Sequence, residues 1–145
     1  MKVNISLSPE HTEPYAVIYT DKVTEEILRI MDLFSTKESP ITAQGGEDDL
    51  VVLKPQDIYL VHIEEGETIL YGAKKKYRSK KRLYEISRQL GPGFMQISRS
   101  ALVNLSYMDA IEPGFSGSLL LKLKNGMKEY VSRSYLPAFK QYLGL

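Results

Sequence analysis

The stretch Phe94–Asn104 has the sequence FMQISRSALVN, and its alternation of strand-like and basic segments guides the interpretation of the rest of the chain. Two short apolar runs of the kind that form β-strands are separated by Ser98-Arg99-Ser100, which is polar, small and basic. An arginine between two short side chains can pair with a phosphate or bind the edge of a guanine through two hydrogen bonds. A solvated loop arginine fits the same pattern, so this stretch alone leaves both interpretations open.

Composition limits the classes of protein to consider. The chain has 145 residues, 43% of them hydrophobic, which suits one domain or a domain with a small appendage. It has no cysteine, and its two histidines, His11 and His62, are far apart, so disulfides and zinc sites are not indicated. No apolar run approaches the ~20 residues of a membrane span. We expect a soluble cytoplasmic protein that has no metal ion and no cofactor.

Charge is distributed unevenly along the chain. Residues 1–53 contain 4 Lys and Arg and 10 Asp and Glu, a net charge of −6, whereas residues 54–145 carry a net charge of +7. The basic part is the candidate for binding a polyanion, and the acidic part would be repelled by one. Chance segregation of charge is the plainer alternative.

The acidic N-terminal part has the pattern of two strands and a helix. Residues 2–8 alternate apolar and polar side chains, and Tyr15–Thr20 is rich in β-forming residues. Apolar residues at three- and four-residue steps then mark one face of a helix: Val23, Ile27, Ile30, Met31 and Phe34. We predict a small β-β-α segment over residues 1–45, with a role in interaction, dimerisation or regulation.

The remainder, residues 46–145, is predicted to be a mainly β domain with short helices. Hairpins are expected for Ile41–Gln44 with Leu50–Leu53 and for Ile58–Ile63 with Thr68–Ala73, and another at the Asn125-Gly126 turn. A short amphipathic helix should follow Leu83 and end at Gly91-Pro92-Gly93. The fold class is therefore antiparallel β and sandwich-like, preceded by the β-β-α segment.

Two further basic features accompany Arg99. A second Ser-Arg-Ser, at Ser132-Arg133-Ser134, precedes a C-terminal helix, where free N–H groups favour an anion, although Ser132 also fits an ordinary N-cap. The run from Lys74 to Arg82 contains seven basic residues in nine. Such a run is commonly a solvated turn. In a nucleic-acid-binding protein it would contact phosphates and position the protein without recognising the base sequence.

An enzyme is poorly supported. No Ser/His/Asp set is suggested, and no Gly-rich phosphate loop precedes a helix. The acidic cluster Glu64, Glu65 and Glu67 fits a solvated hairpin tip and lacks the ligand spacing of a calcium loop. We expect a binding protein without catalytic residues.

From about Asp57 onward the order of motifs resembles the LytTR DNA-binding domain of bacterial transcription regulators. The matching pieces are Asp57-Ile58, Tyr77-Arg78, Leu83–Ile86, Phe94–Leu105, Leu123–Gly126 and Val131–Leu136. The family pattern is roughly Phe, two residues, His/Ser-Arg-Ser, three residues and Asn, followed by Lys-Asn-Gly and Val-Ser-Arg. Many members have histidine where Ser98 stands.

The resemblance implies a β fold whose loops enter successive major grooves of DNA at direct repeats in promoters. It assigns base reading to Arg99 and Arg133, and it places a third contact in the first hairpin near Glu67 or Thr68. Asn104 is expected to anchor its loop. Contacts to phosphate, or positioning of the loops, fall to six further residues: Ser98, Ser100, Ser132, Arg78, Lys80 and Lys81.

We expect no phosphoacceptor receiver domain, since the acidic segment before residue 54 is too short to hold one, and the chain resembles stand-alone members of the family. These members are often encoded beside a small membrane protein that restrains them, so such a protein is an expected partner of the N-terminal segment. We expect a transcription regulator that binds double-stranded DNA, with a homodimer on DNA as a further candidate assembly. The alternative is a protein-interaction module whose acidic half binds a partner and whose basic patch is incidental.

Overall fold

The protein is described here from a computed structural model, which covers residues 2–12, 15–34 and 40–145. It divides into two compact units, Met1–Phe34 and Ser35–Leu145. The smaller unit contains one helix, α1 (Glu25–Phe34), with Glu25 and Glu26 in its first turn. The predicted boundary at 45/46 would separate Ile41–Gln44 from the sheet to which the structure assigns it, so the division between compact units lies nearer the N-terminus.

The two strands predicted before α1 are not formed in the part of the chain that the structure describes. Residues 2–8 and 15–20 carry no strand, so the β-β-α interpretation is correct only for its helix. Val3, Ile5 and Leu7 alternate as expected, but all three side chains are exposed. An isolated pair of strands is only marginally stable in water because its apolar face has no other element to pack against.

The larger unit is built on a seven-stranded antiparallel sheet. Its spatial order is β2-β1-β5-β4-β3-β7-β6, and every described pairing is antiparallel. The strands are β1 (Ile41–Gln44), β2 (Leu50–Leu53), β3 (Leu60–Glu64), β4 (Glu67–Tyr71), β5 (Lys76–Ser79), β6 (Phe94–Ser98) and β7 (Ala101–Asn104). The hairpins predicted for β1–β2 and β3–β4 are present, and part of the basic run forms β5.

A three-stranded antiparallel sheet and two helices complete this unit. The strands are β8 (Met108–Pro113), β9 (Leu119–Leu123) and β10 (Lys128–Val131), and the helices are α2 (Leu83–Leu90) and α3 (Leu136–Leu143). Single 3₁₀ turns lie at Pro55–Asp57, Leu105–Tyr107, Phe115–Gly117 and Arg133–Tyr135. The predicted Asn125-Gly126 turn joins β9 to β10, with Gly126 at a φ of 88°. The predicted mainly β, antiparallel fold with short helices is confirmed.

Each face of the large sheet packs against its own core. On one face, Leu83, Ile86 and Leu90 of α2 contact buried residues of β1, β3, β4 and β7, because their three- and four-residue spacing places them on one side of the helix. On the other face, the smaller sheet and Phe139 of α3 pack on β3, β6 and β7. The domain is therefore layered, with α2 outside, the large sheet in the middle, and the small sheet and α3 beyond it.

Among the described residues, no helix combines the length and the apolar character that crossing a membrane requires.

Asn104 is a buried polar residue at the end of β7. Its amide group donates to the carbonyl of Ile58 at 2.9 Å, and its Oδ1 accepts from the N–H of Ser106 at 3.0 Å. These bonds join the start of β3 to the 3₁₀ turn after β7. The segment that Asn104 holds therefore lies at the opposite end of β7 from Arg99.

Replacing Asn104 by leucine should destabilise the larger unit. The carbonyl of Ile58 and the N–H of Ser106 would lose their partner, at a cost of about 1–3 kcal/mol in the free energy of unfolding. Urea denaturation measures this cost. Ser106→Ala is the matched control, because it keeps the backbone N–H, and equal midpoints for the two variants would contradict the structural role of Asn104.

Candidate nucleic-acid interface

Arg99 lies in the two-residue turn that joins β6 to β7. The Oγ of Ser98 accepts a hydrogen bond from the N–H of Ser100 at 3.2 Å, and the two hydroxyl oxygens are 3.4 Å apart. The serines thus shape the turn, and Arg99 is exposed at its tip. Within residues 2–12, 15–34 and 40–145, no side chain forms an ion pair or hydrogen bond with the Arg99 guanidinium.

Three connections meet at the end of the large sheet that carries Arg99. The N–H of Ile63 donates to the carbonyl of Ser100 at 2.8 Å, which places the β6–β7 turn beside the β3–β4 hairpin. Thr68 pairs with Ser79 in the β4–β5 ladder, so the segment between β5 and α2 begins at the same end. Residues far apart in sequence are thereby gathered around Arg99.

A groove of about 770 Å³ lies at this end of the sheet, beside α2. Five cationic side chains line it, and no described lining residue carries a carboxylate. The five are Lys80, Lys81, Arg82, Arg88 and Arg99. A groove with a positive charge and no internal counter-charge is suited to a polyanion such as the phosphate backbone of a nucleic acid.

Thr68 fixes the basic segment at the wall of this groove. It is buried, and its hydroxyl donates to the carbonyl of Lys81 at 2.7 Å. The N–H of Lys81 donates to the Oγ of Ser79 at 3.1 Å, and its ammonium group donates to the Oε1 of Gln89 at 3.0 Å. Gln89 is neutral, so this hydrogen bond supplies no counter-charge to Lys81. Thr68 thus lines the groove while its hydroxyl holds the backbone of Lys81 in place.

Arg78 is not among the residues that line the groove. It stands opposite Ile69 in the ladder, and its guanidinium is 3.9 Å from the carboxylate of Glu67, with both side chains about half exposed. Such a surface pair is worth at most about 1 kcal/mol. Arg78 instead lines a second pocket of about 310 Å³ together with Lys80 and Lys81, so the three basic residues grouped from the sequence remain neighbours in the structure.

Arg133 lies in the 3₁₀ turn that precedes α3. Its Nε donates to the carbonyl of Ser116 at 2.7 Å, so the connection between β8 and β9 positions its exposed guanidinium. Ser132 does not cap the helix with its side chain, contrary to the N-cap interpretation. Its carbonyl instead accepts from the N–H of Tyr135 at 2.9 Å, which closes the turn.

The two Ser-Arg-Ser sequences are joined through the backbone. The ladder between β6 and β7 shifts register between Gln96 and Ser98, which leaves Ile97 as a β-bulge. The carbonyl of Ile97 accepts a hydrogen bond from the N–H of Ser132 at 2.9 Å. The predicted pair of basic motifs is thereby tied together beside one edge of the large sheet.

Sequence reasoning missed Arg88, which lies in the last turn of α2. Tyr84, Ser87 and Arg88 all line the groove, and the Arg88 guanidinium is 5.7 Å from the centre of the Tyr84 ring. The spacing 84, 87 and 88 marks one helix face, adjacent to the face that carries Leu83, Ile86 and Leu90. That spacing is the signal from which Arg88 could have been found.

A polar cluster lies between the two sheets, near the β3–β4 hairpin. The Nδ1 of His62 is 3.8 Å from Glu64, its Nε2 is 3.7 Å from Glu129, and the hydroxyl of Tyr71 donates to Glu64. Burial raises the pKa of the Glu129 carboxyl, and His62 opposes that change. Burial, followed by the hydrogen bond to Glu64, raises the pKa of Tyr71 to about 12. Among the described residues, no group of three or more His, Cys, Asp or Glu could hold a metal ion.

The antiparallel sheets carry a groove lined by cations and two arginines held at turns, which are features suited to binding a polyanion. The family model of the LytTr DNA-binding domain matches residues 48–144. The chain belongs to the LytTR family, which is a family of DNA-binding domains.

Relatives with regulatory names support this assignment. The chain is 39% identical over 97 residues to the sensory transduction protein LytR of Streptococcus agalactiae, covering 66% of this chain and 39% of that protein. It is 26% identical over 146 residues to an HTH-type transcriptional regulator of Staphylococcus aureus, covering 100% of this chain and 99% of that protein. The chain therefore spans about two fifths of the length of LytR but almost all of the staphylococcal relative.

A solved structure shares the fold. It is the LytTr DNA-binding domain of a response regulator from Bacillus cereus, which superposes with a TM-score of 0.66 at 26% sequence identity. The match covers 74% of this chain and 98% of that domain.

Stability should fall as the pH rises from 10 through 12. The pKa of Tyr71 is raised from 10.0 to about 12 in the folded protein, so its contribution is fully present below pH 10 and is lost as the hydroxyl ionises near pH 12. Chemical denaturation at a series of pH values should show a shallower decline for Tyr71→Phe than for the parent. Tyr84→Phe, at an exposed site, should retain the parent slope. Equal slopes for Tyr71→Phe and the parent would contradict this assignment.

Proposed function

We propose that this protein is a sequence-specific transcription regulator that binds double-stranded DNA. The observation that carries the proposal is Arg99, which is exposed, has no partner among the described residues, and lines a groove with four other cations. An unpaired guanidinium keeps all five of its N–H donors for a ligand. A ligand with a repeated negative charge and hydrogen-bond acceptors matches this surface.

The two arginines read bases, and the groove lysines hold the backbone. Arg99 stands at the tip of a turn and can reach N7 and O6 of a guanine in the major groove, which no other base pair presents together. Arg133 contributes a second contact, since the hydrogen bond between Ser132 and Ile97 joins its turn to β6. Lys80 and Lys81 contact phosphates and set the register without reading sequence.

Ser98, Ser100 and Ser132 serve mainly to position the turns. The first two bond to each other within the β6–β7 turn, and the third bonds to Ile97 through its backbone. Arg78 lies outside the groove, and its half-exposed guanidinium, 3.9 Å from the Glu67 carboxylate, keeps donors for a phosphate contact. In the first hairpin, Glu67 and not Thr68 has an exposed side chain, so a contact from this hairpin would come from an acidic tip.

The resemblance and the two arginine-bearing turns together support a binding mode. The turns enter successive major grooves on one face of the duplex, and the target is a direct repeat in a promoter. Two copies of the protein then occupy the two repeats in the same orientation. This arrangement is part of the proposal and extends beyond the family assignment.

Removing Arg99 should reduce both affinity and sequence preference. On duplexes selected by the full chain from a random pool, Arg99→Ala should lose about 1–3 kcal/mol, with a smaller loss on random duplex. Lys80→Ala should weaken both kinds of duplex alike and reduce the salt slope by about one unit. Gel-shift titration over a salt series measures both quantities.

Lys124→Ala is the matched control for these two variants. It removes an exposed charge from the β9–β10 turn, where the neighbouring Asn125 donates to the carbonyl of Gly72, beyond the end of β4 that is distant from the groove. Its affinity should match that of the parent. An equal loss on selected and random duplex for Arg99→Ala would remove the base-reading role, and no binding of the parent at low salt would favour the protein-interaction alternative.

The N-terminal unit is proposed to bind a protein partner. Ile5 and Leu7 expose 87% and 93% of their surfaces, although both are apolar. Val3, Ile5 and Leu7 alternate with polar residues, so in an extended segment their apolar side chains would lie on one side, and exposed apolar surface of this kind commonly marks an interaction site. The resemblance points to a small membrane protein that restrains the regulator.

Changing Ile5 and Leu7 together to serine should abolish capture of such a partner from solubilised membranes while leaving DNA affinity unchanged. Asn4→Ser, in the same segment, is the control and should retain capture. Equal capture by all three proteins would contradict a partner site on these side chains.

A further inference from the structure

The edge of the large sheet formed by β2 is unpaired among the described residues. The strand contacts β1 on one side and lies at the end of the sheet. Leu50 and Val52 expose 71% and 62% of their surfaces on the side of the strand that faces away from the α2 core. An exposed, apolar edge strand is a template for pairing with another strand.

The free hydrogen-bonding groups of this edge can be identified from the register. The N–H of Gly45 donates to the carbonyl of Asp49 at 2.8 Å, and the same ladder pairs Ala43 with Val51. Hydrogen-bonded and non-hydrogen-bonded pairs alternate along an antiparallel ladder. Val51 and Leu53 therefore direct their N–H and C=O groups toward β1, whereas Leu50 and Val52 direct theirs away from the sheet.

We propose that β2 pairs antiparallel with β2 of a second copy of this chain, with Leu50 of each copy opposite Val52 of the other. A two-fold axis then passes between the two Val51 residues. This register uses every outward-facing N–H and C=O group of Leu50 and Val52, so four hydrogen bonds join the copies. Homodimers commonly form such self-complementary two-fold interfaces.

The neighbouring registers are less favourable. A shift that sets Val52 opposite itself brings Leu50 opposite Lys54, whose N–H already donates to the carboxylate of Asp57 at 2.8 Å. A shift that sets Leu50 opposite itself brings Val52 opposite Asp48, which has a φ of 60° and is not extended. The central register alone pairs extended residues with free backbone groups on both sides.

Side chains also favour a second copy as the occupant. On the exposed face, Leu50 meets Val52 of the other copy twice, and cross-strand apolar pairs of this kind stabilise a sheet. Lys54 of each copy lies beside the acidic turn of the other, which holds Glu47, Asp48 and Asp49. Apolar contact and opposite charge thus coincide in one register.

This inference concerns the protein without DNA and does not depend on the proposed function. A two-fold dimer presents its two grooves in opposite directions, whereas a direct repeat requires two copies in the same orientation. The pairing therefore belongs to the DNA-free form.

Single cysteines test the register, because the chain contains no cysteine of its own. Opposite Val51 residues would form a non-hydrogen-bonded pair with Cα atoms about 4.5 Å apart, within the range of a disulfide. Under mild oxidation of the full chain, Val51→Cys should form disulfide-linked dimers at least about tenfold faster than Leu50→Cys or Val52→Cys. Faster linkage at residue 50 or 52, or linkage at none of the three, overturns the proposal.

Sedimentation of the full chain without DNA provides the second readout. The parent and Val52→Thr should form dimers, whereas Val52→Pro should raise the dimer dissociation constant about tenfold or more, because two of the four hydrogen bonds are lost. Proline is tolerated at this position of an edge strand, since the missing N–H does not face β1, and circular dichroism checks the fold. A monomeric parent, or equal dimerisation of all three proteins, overturns the proposal, and DNA affinity enters neither measurement.

Discussion

The hydrogen bond from the N–H of Ser132 to the carbonyl of Ile97 is the constraint on which the arrangement of the candidate interface depends. Ile97 is the bulged residue of β6, and a bulge rotates a backbone group out of the regular ladder. The side chain of Ile97 is fully buried in the core between the sheets, which fixes the direction of its carbonyl. If the bulge were removed, β6 would regain regular pairing, and the segment that carries Arg133 would lose this hydrogen bond to the strand that precedes Arg99.

Electrostatics at the interface are divided between two neighbouring surfaces. The groove carries cations without carboxylates, while the hairpin next to it carries Glu64, Glu65 and Glu67. Two of these acids already have partners, since Glu64 accepts from Tyr71 and Glu67 pairs with Arg78. Arg78 partly compensates the negative charge of Glu67, whereas the hydroxyl of Tyr71 is neutral and leaves the charge of Glu64 in place, so only part of the repulsion that the acidic tip exerts on a phosphate backbone is removed.

Local patterns in the sequence were sufficient to predict much of the secondary structure of the larger unit. The spacing of Leu83, Ile86 and Leu90 predicted α2, and Asn125-Gly126 predicted the turn between β9 and β10, because each depends on neighbours along the chain. The groove could not be predicted in full, since Arg88 joins Arg99 only when α2 packs against β3 and β7. The role of Thr68 is equally non-local, because its partner Lys81 lies on the other side of β5. The prediction of two N-terminal strands was wrong for a related reason. Alternation of apolar and polar residues shows only that a strand would have one apolar face, and a stable strand also needs a partner strand and a surface to pack against.

If Arg133 reads bases as proposed, its hydrogen bond to the carbonyl of Ser116 offers a route by which sequence preference could change during evolution. Because Nε is occupied, Arg133 can approach a ligand only with its two terminal nitrogens, and a lysine could not reproduce both contacts. Ser116 has a φ of 56°, and a side chain at Gly114 would come within 2.5 Å of the Oγ of Ser118, so this connection tolerates few substitutions. A change there would redirect the guanidinium without touching the ligand. Under the proposed role, substitutions that do not contact the nucleic acid could therefore change sequence preference while Arg133 itself stays the same.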